Sequence, residues 1–155
     1  MGAFSGIGEA EVYERGNYLK PGGMFLLVVK DMLLKETQNS GLGFIVEFEV
    51  LESTLEEDHP VGSKATWFQS MTKRQVALPA IKEFMAFLLK VNLKDSAQKE
   101  QFNSEVEDIL NAATDFEGDP ADHPMYGEKI RVHTYTKLTQ NNKEFTVHDW
   151  EIVEE

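Results

Sequence analysis

The chain has no cysteine among its 155 residues. Disulfides, zinc ribbons and thiol nucleophiles are excluded together, and the absence fits a reducing cytoplasm. Long hydrophobic runs are missing too. The longest, Met24 to Val29, is strand-sized and far short of a membrane span. No basic segment followed by an apolar one opens the sequence, so no secretory leader is expected. The expected setting is the cytoplasm, with no membrane contact. Positive charge is scarce: 15 Lys and Arg stand against 27 Asp and Glu, for a formal net charge of −12. Between Lys99 and Lys129 there are nine acids and no Lys or Arg. Glu56, Glu57 and Asp58 form a second acidic cluster. Such acidity argues against a protein whose whole surface holds DNA, but it leaves room for a local basic groove.

Catalytic and cofactor signatures are also absent. No Gly-x-x-x-x-Gly-Lys-Ser/Thr occurs, and neither Gly6-Ile-Gly8 nor Gly41-Leu-Gly43 continues into a dinucleotide fingerprint. Ser5 and Ser40 lack the surroundings of a nucleophile elbow. The pairs Glu47/Glu49 and Glu107/Asp108 read as solvated rather than as two carboxylates in a shared cleft. His123, His133 and His148 do not have the spacing of a helical metal site. No metal, cofactor or enzymatic activity is expected.

What is present is one acid-free basic stretch, "GSKATWFQSMTKRQ" from Gly62 to Gln75, and a strong strand pattern around it. Pro21-Gly22-Gly23 is a turn before a strand from Met24 to Leu34. Gln38-Asn39-Ser40-Gly41 is a second turn signal. Gly43 to Leu51 alternates, with Phe44, Val46, Phe48 and Val50 inward and Glu47 and Glu49 outward. Lys64 to Met71 makes a third strand. Its parity puts Trp67 and Met71 toward the core, and Lys64 and Phe68 outward. From Pro79, placed at a first helical position, Ile81, Phe84, Met85, Leu88 and Val91 recur at helical spacing. A second helix is capped by Asp95 or Ser96 and carries an apolar stripe of Phe102, Val106, Ile109, Leu110 and Ala113. A loop, Asp115 to Gly127, leads to the strands Lys129–Leu138 and Glu144–Val153.

Three strands, a helical segment and two strands are the plan of an OB-fold. The expected fold is therefore mainly β: an OB-fold-like five-stranded antiparallel barrel with a helical insertion between strands 3 and 4. It is expected to span residues 1–155 as one domain, with residues 1–12 a flexible arm. With Asn141-Asn142 as a two-residue turn, the last hairpin pairs Leu138 with Phe145, Tyr135 with His148 and His133 with Trp150. One face then gathers His133, Tyr135, His148 and Trp150, flanked by Arg131 and Lys137. The same register sets Glu151 against Val132 on the core side, so a bulge near Asp149 is expected to re-aim Trp150. The alternative is a set of ordinary cross-strand pairs with Trp150 folded into a core edge.

The runs "ERGNYLKPGGMFLLVVKDMLL", "GFIVEFEVLES", "HPVGSKATWFQSM" and "ALPAIKEFMAFLL" resemble a group of bacteriophage proteins described as OB-fold single-stranded DNA-binding proteins. The resemblance covers about residues 14–90. It implies sequence-independent binding of single-stranded DNA during phage replication or recombination, in the host cytoplasm. Replication or recombination proteins are the implied partners, and homo-oligomerisation stays open. Phe68, Tyr135 and Trp150 are the expected stacking rings, with Trp67 in reserve and His133 beside them. Lys64, Lys73, Arg74, Arg131, Lys137 and Lys143 are the expected phosphate contacts. A second reading, of a different class, is an acidic interaction protein. Its carboxylates at 52–58 and 100–128 would mimic nucleic acid or dock a basic partner.

Overall fold

The computed structural model describes residues 18–37 and 41–153. The expected arm of residues 1–12 and the turn at 38–40 lie outside the described residues. Five strands, β1 (Met24–Thr37), β2 (Gly41–Ser53), β3 (Lys64–Ser70), β4 (Lys129–Leu138) and β5 (Glu144–Glu151), form one antiparallel sheet in the order β3-β2-β1-β4-β5. Two helices, α1 (Arg74–Leu88) and α2 (Ser96–Thr114), fall between β3 and β4. The mainly β class and the element order are as expected. No helix among the described residues is long and apolar enough to cross a membrane.

Period-two burial builds the sheet. Phe44, Val46, Phe48 and Val50 of β2 are buried while Glu47 is exposed, because one face meets the helices and the other meets water. The β1–β2 ladder slips at two places, leaving Lys30 and Leu51 as the extra residues. Such bulges bend a strand and increase its twist, so the sheet curls toward α1.

The expected closed barrel is not found. The two edge strands, β3 and β5, do not pair with each other. Tyr18 takes the outer edge of β3 through a parallel bridge to Thr66. The edges meet through rings instead. Trp67 of β3 and Trp150 of β5 have centroids 5.2 Å apart, edge to face, and Phe84 of α1 lies 4.9 Å from Trp67 and 4.7 Å from Trp150. Edge-to-face and offset pairs at these separations are favourable beyond the area that they bury. Residues 18–23 complete this end of the core. Leu19 is buried, the Lys20 N–H donates to His59 Nε2, and the Gly22 N–H donates to the Thr134 carbonyl.

The first helix begins earlier than its proline suggests. It starts at Arg74, and Pro79 stands inside it. A proline there deprives the carbonyl four residues back of its partner, and that residue, Gln75, is exposed to water. The helix nevertheless continues through Pro79 to Leu88. The second helix is capped as expected, the Asp95 carboxylate accepting from the Gln98 N–H at 3.1 Å.

Trp67→Ala should cost about 3–5 kcal/mol, as large aromatic-to-alanine changes in cores do. Phe68→Ala, on the opposite face of the same strand, should cost clearly less. Urea denaturation of both variants, read by circular dichroism, checks the ranking.

Candidate functional site

The hairpin of β4 and β5 is one residue out of the expected register. The pairs are Leu138–Glu144, Lys137–Phe145, Tyr135–Val147, His133–Asp149 and Val132–Trp150. The turn explains the slip. Thr139 donates to the Lys143 carbonyl and Asn142 donates to the Thr139 carbonyl. Asn142 takes φ 59°, so three residues, not two, span the loop, with the last left-handed. One added residue reverses which side chains of β5 point inward. Trp150 and His148 move to the core side, and no bulge is needed at Asp149.

The expected stacking role of Trp150 is therefore corrected, since it is 4% exposed and belongs to the core. Trp67, placed toward the core by strand parity and kept only in reserve for stacking, is 6% exposed and lies there. His148 stacks on Trp150 with centroids 5.6 Å apart and planes 18° apart, and lies 6.3 Å from Trp67. Phe68 faces outward as its parity suggests, half-buried on β2. It covers Gly43 so closely that a Cβ there would sit 2.2 Å from its Cε2. Any larger residue at 43 would displace the ring.

In place of Trp150 the corrected register brings Phe145 outward. Phe145 is 44% exposed and Tyr135 40%. Both lie on the outer face of the hairpin with His133, whose ring centroid is 5.7 Å from that of Tyr135. Lys137 pairs across the strands with Phe145, and Lys143 sits in the hairpin loop. Met24, paired with His133 through β1, extends this apolar strip. Phe145 was missed because the two-residue turn placed it inward opposite Leu138. The signal that finds it is the left-handed tolerance of Asn142 when read as the end of a longer loop.

The remaining expected cations do not all join this face. Lys64 is exposed at the start of β3, opposite Glu49. Lys73 and Arg74 are exposed at the start of α1. On the outer face between Phe68 and the hairpin lie Glu47, Glu49 and Asp31, with Lys30 held by Glu49 at 3.9 Å and by the Tyr126 hydroxyl at 3.2 Å. The expected sites thus form two groups separated by acids. Arg131 is on the hairpin face but is already engaged, its Nη1 lying 3.1 Å from Glu52 Oε2. Among the described residues Lys129, Lys137 and Lys143 make no ion pair.

No grouping of His, Asp and Glu among the described residues could hold a metal ion. The buried His123 is structural. Its Nε2 lies 2.7 Å from the Ala113 carbonyl, and its Nδ1 accepts from the Met125 N–H. No protein-family model matches the chain, and no curated protein matches it in sequence.

Burial lowers the His148 imidazole from 6.5 to about 4. Between those values the unfolded chain holds a proton that the folded chain does not, so stability rises with pH across that window. The His148 contribution should be complete above about pH 6.5 and should fall by up to about 3 kcal/mol as pH drops to 4. His59, also lowered by burial, adds a loss of the same sign. The measurement is therefore the difference between wild type and His148→Phe. The variant should show a flatter profile from pH 6.5 to 4 in urea melts.

Proposed function

We propose that the protein binds single-stranded DNA through the outer face of the β4–β5 hairpin, with little dependence on sequence and without a catalytic step. The observation that carries this reading is the pair of exposed rings, Tyr135 and Phe145, on one face beside the unpaired Lys137 and Lys143. Every base has a ring face, so stacking on tyrosine and phenylalanine is tolerant of sequence. Lysines that have no carboxylate partner keep their charge for phosphates. Alternate residues of β4 stand about 7 Å apart along the strand, so His133 and Tyr135 offer successive contacts to an extended chain.

The fold supports the reading at the level of plan. The order β3-β2-β1-β4-β5 is what a five-stranded Greek-key barrel of OB type gives when opened between its third and fifth strands, and such barrels are commonly only partly closed. The biological setting proposed from the sequence resemblance is phage DNA replication or recombination in the host cytoplasm. Replication or recombination proteins are the proposed protein partners.

A second reading rests on α2. The helix buries Phe102 and Ala113, and it exposes Glu100, Glu105, Glu107 and Asp108. This surface suits a basic partner. Lysine substitutions at 105, 107 and 108 would abolish such docking and leave or strengthen DNA binding.

Fluorescence anisotropy with a labelled dT oligomer tests the first reading. Tyr135→Ala and Phe145→Ala should each weaken binding by about 1–3 kcal/mol. The logarithm of affinity should fall against that of salt with a slope of about −0.7 per phosphate neutralised. Absence of binding at low salt and micromolar protein would reject it.

A further inference from the structure

The outer face carries an open pocket of about 280 Å³ at the junction of β1, β2, β4 and β5. Met24 and Leu26 supply apolar surface, while Glu52, Arg131 and Glu151 supply charge. Its geometry follows from the register. Leu26 lies between Glu52 on β2 and Arg131 on β4, and Arg131 lies between Leu26 and Glu151 on β5. Directly opposed residues on neighbouring antiparallel strands place their Cβ atoms about 4.5–5.5 Å apart. Arg131 therefore stands beside Glu151 and reaches across Leu26 toward Glu52, so that one guanidinium and two carboxylates line the pocket with its apolar surface. Glu52 holds the guanidinium at 3.1 Å, and Glu151 makes no ion pair among the described residues.

The charge count decides what kind of ligand fits. Two carboxylates and one guanidinium leave the pocket one unit negative in a chain that is already at −12. A phosphate is repelled there. A neutral planar ring is not. It can cover Met24 and Leu26 while its edge meets the charged groups. A carboxylate asks for two parallel N–H donors, and a guanidinium asks for acceptors. Guanine offers both on adjoining atoms: N1–H and the N2 amine as donors, O6 and N7 as acceptors. Cytosine and adenine each present one amine, and thymine one imide N–H.

We infer that this pocket is a guanine-reading site, in which Glu151 accepts from N1–H and N2–H, Arg131 donates to O6 and N7, and Glu52 positions Arg131. The inference rests on the single-strand reading above and adds one base-selective point to it. Met24 joins the two regions, because it lines the pocket and pairs with His133 of the aromatic strip. Arg131 thereby changes role, from the expected phosphate contact to a contact with a base edge.

The test compares labelled dT oligomers that carry a central thymine, guanine or inosine, by anisotropy, on wild type and on Glu151→Gln. Guanine should improve binding by roughly tenfold, in the range of a good bidentate base contact. Inosine, which lacks the N2 amine, should lose most of that gain. Glu151→Gln, an exposed change that leaves the core untouched, should bring the guanine-to-thymine ratio close to one. Equal binding of all three oligomers by wild type overturns the inference while the single-strand reading stands. So does a guanine preference that survives in Glu151→Gln. If no oligomer binds, the single-strand reading fails, and free guanosine then decides the pocket by equilibrium dialysis. Uptake by wild type that Glu151→Gln abolishes upholds it. No uptake overturns it.

Discussion

The contact on which the architecture depends is the meeting of Trp67 and Trp150 over Phe84. The two indoles come from the opposite edges of the sheet, and the phenyl ring comes from the helix between them in sequence. A ladder between β3 and β5 would close the sheet with backbone hydrogen bonds. Here the same joint is made by packed rings, with Tyr18 on the outer edge of β3. The bulges of the β1–β2 ladder and the turn that sets how β5 faces bring those rings together, and α1 supplies Phe84 to the same joint.

That joint also sorts the aromatic residues into two kinds. Rings that hold the seam are withdrawn from the surface, and the rings left outside are smaller: Phe68 at one end of the sheet, Tyr135 and Phe145 at the other. Charge is sorted in parallel. Glu47, Glu49 and Asp31 occupy the outer face of β1 and β2, α2 presents a further row of carboxylates, and Lys137 and Lys143 stand near the turn of the hairpin. Asp149 and Glu151 share the hairpin's outer face with those lysines, so the positive charge there is confined to the turn end of the hairpin.

Much of this was legible in the sequence wherever one face of an element is dry and the other wet. The alternation of Phe44 to Val50 gave β2 its orientation, and the parity of Lys64 to Met71 separated Trp67 from Phe68 without reference to any neighbour. The stripe of α2 and its Asp95 cap were equally plain. Two features were not. Pro79 reads as a helix start because local sequence does not show that the carbonyl it strands lies in water. The hairpin register hangs on whether Asn141-Asn142 is a whole turn or the end of a longer one, and both use asparagine. That single ambiguity decided the fate of Trp150, His148 and Phe145 at once, since strand parity carries an error along the whole strand. Closure of the sheet was beyond reach for another reason. It depends on what occupies the free edge of β3, and Tyr18 is far from that edge in sequence.

The burial of the seam has an optical consequence. The chain has two tryptophans, and both are in that joint. The intrinsic indole emission of the folded protein therefore reports the distance between the two edges of the sheet and the state of the imidazole stacked on one of them. A ligand resting on Tyr135 and Phe145 leaves it almost unchanged. Parting β3 from β5 exposes both indoles to water and changes it. The molecule carries its own gauge of opening, placed on the far side of the sheet from the surface where a ligand would act.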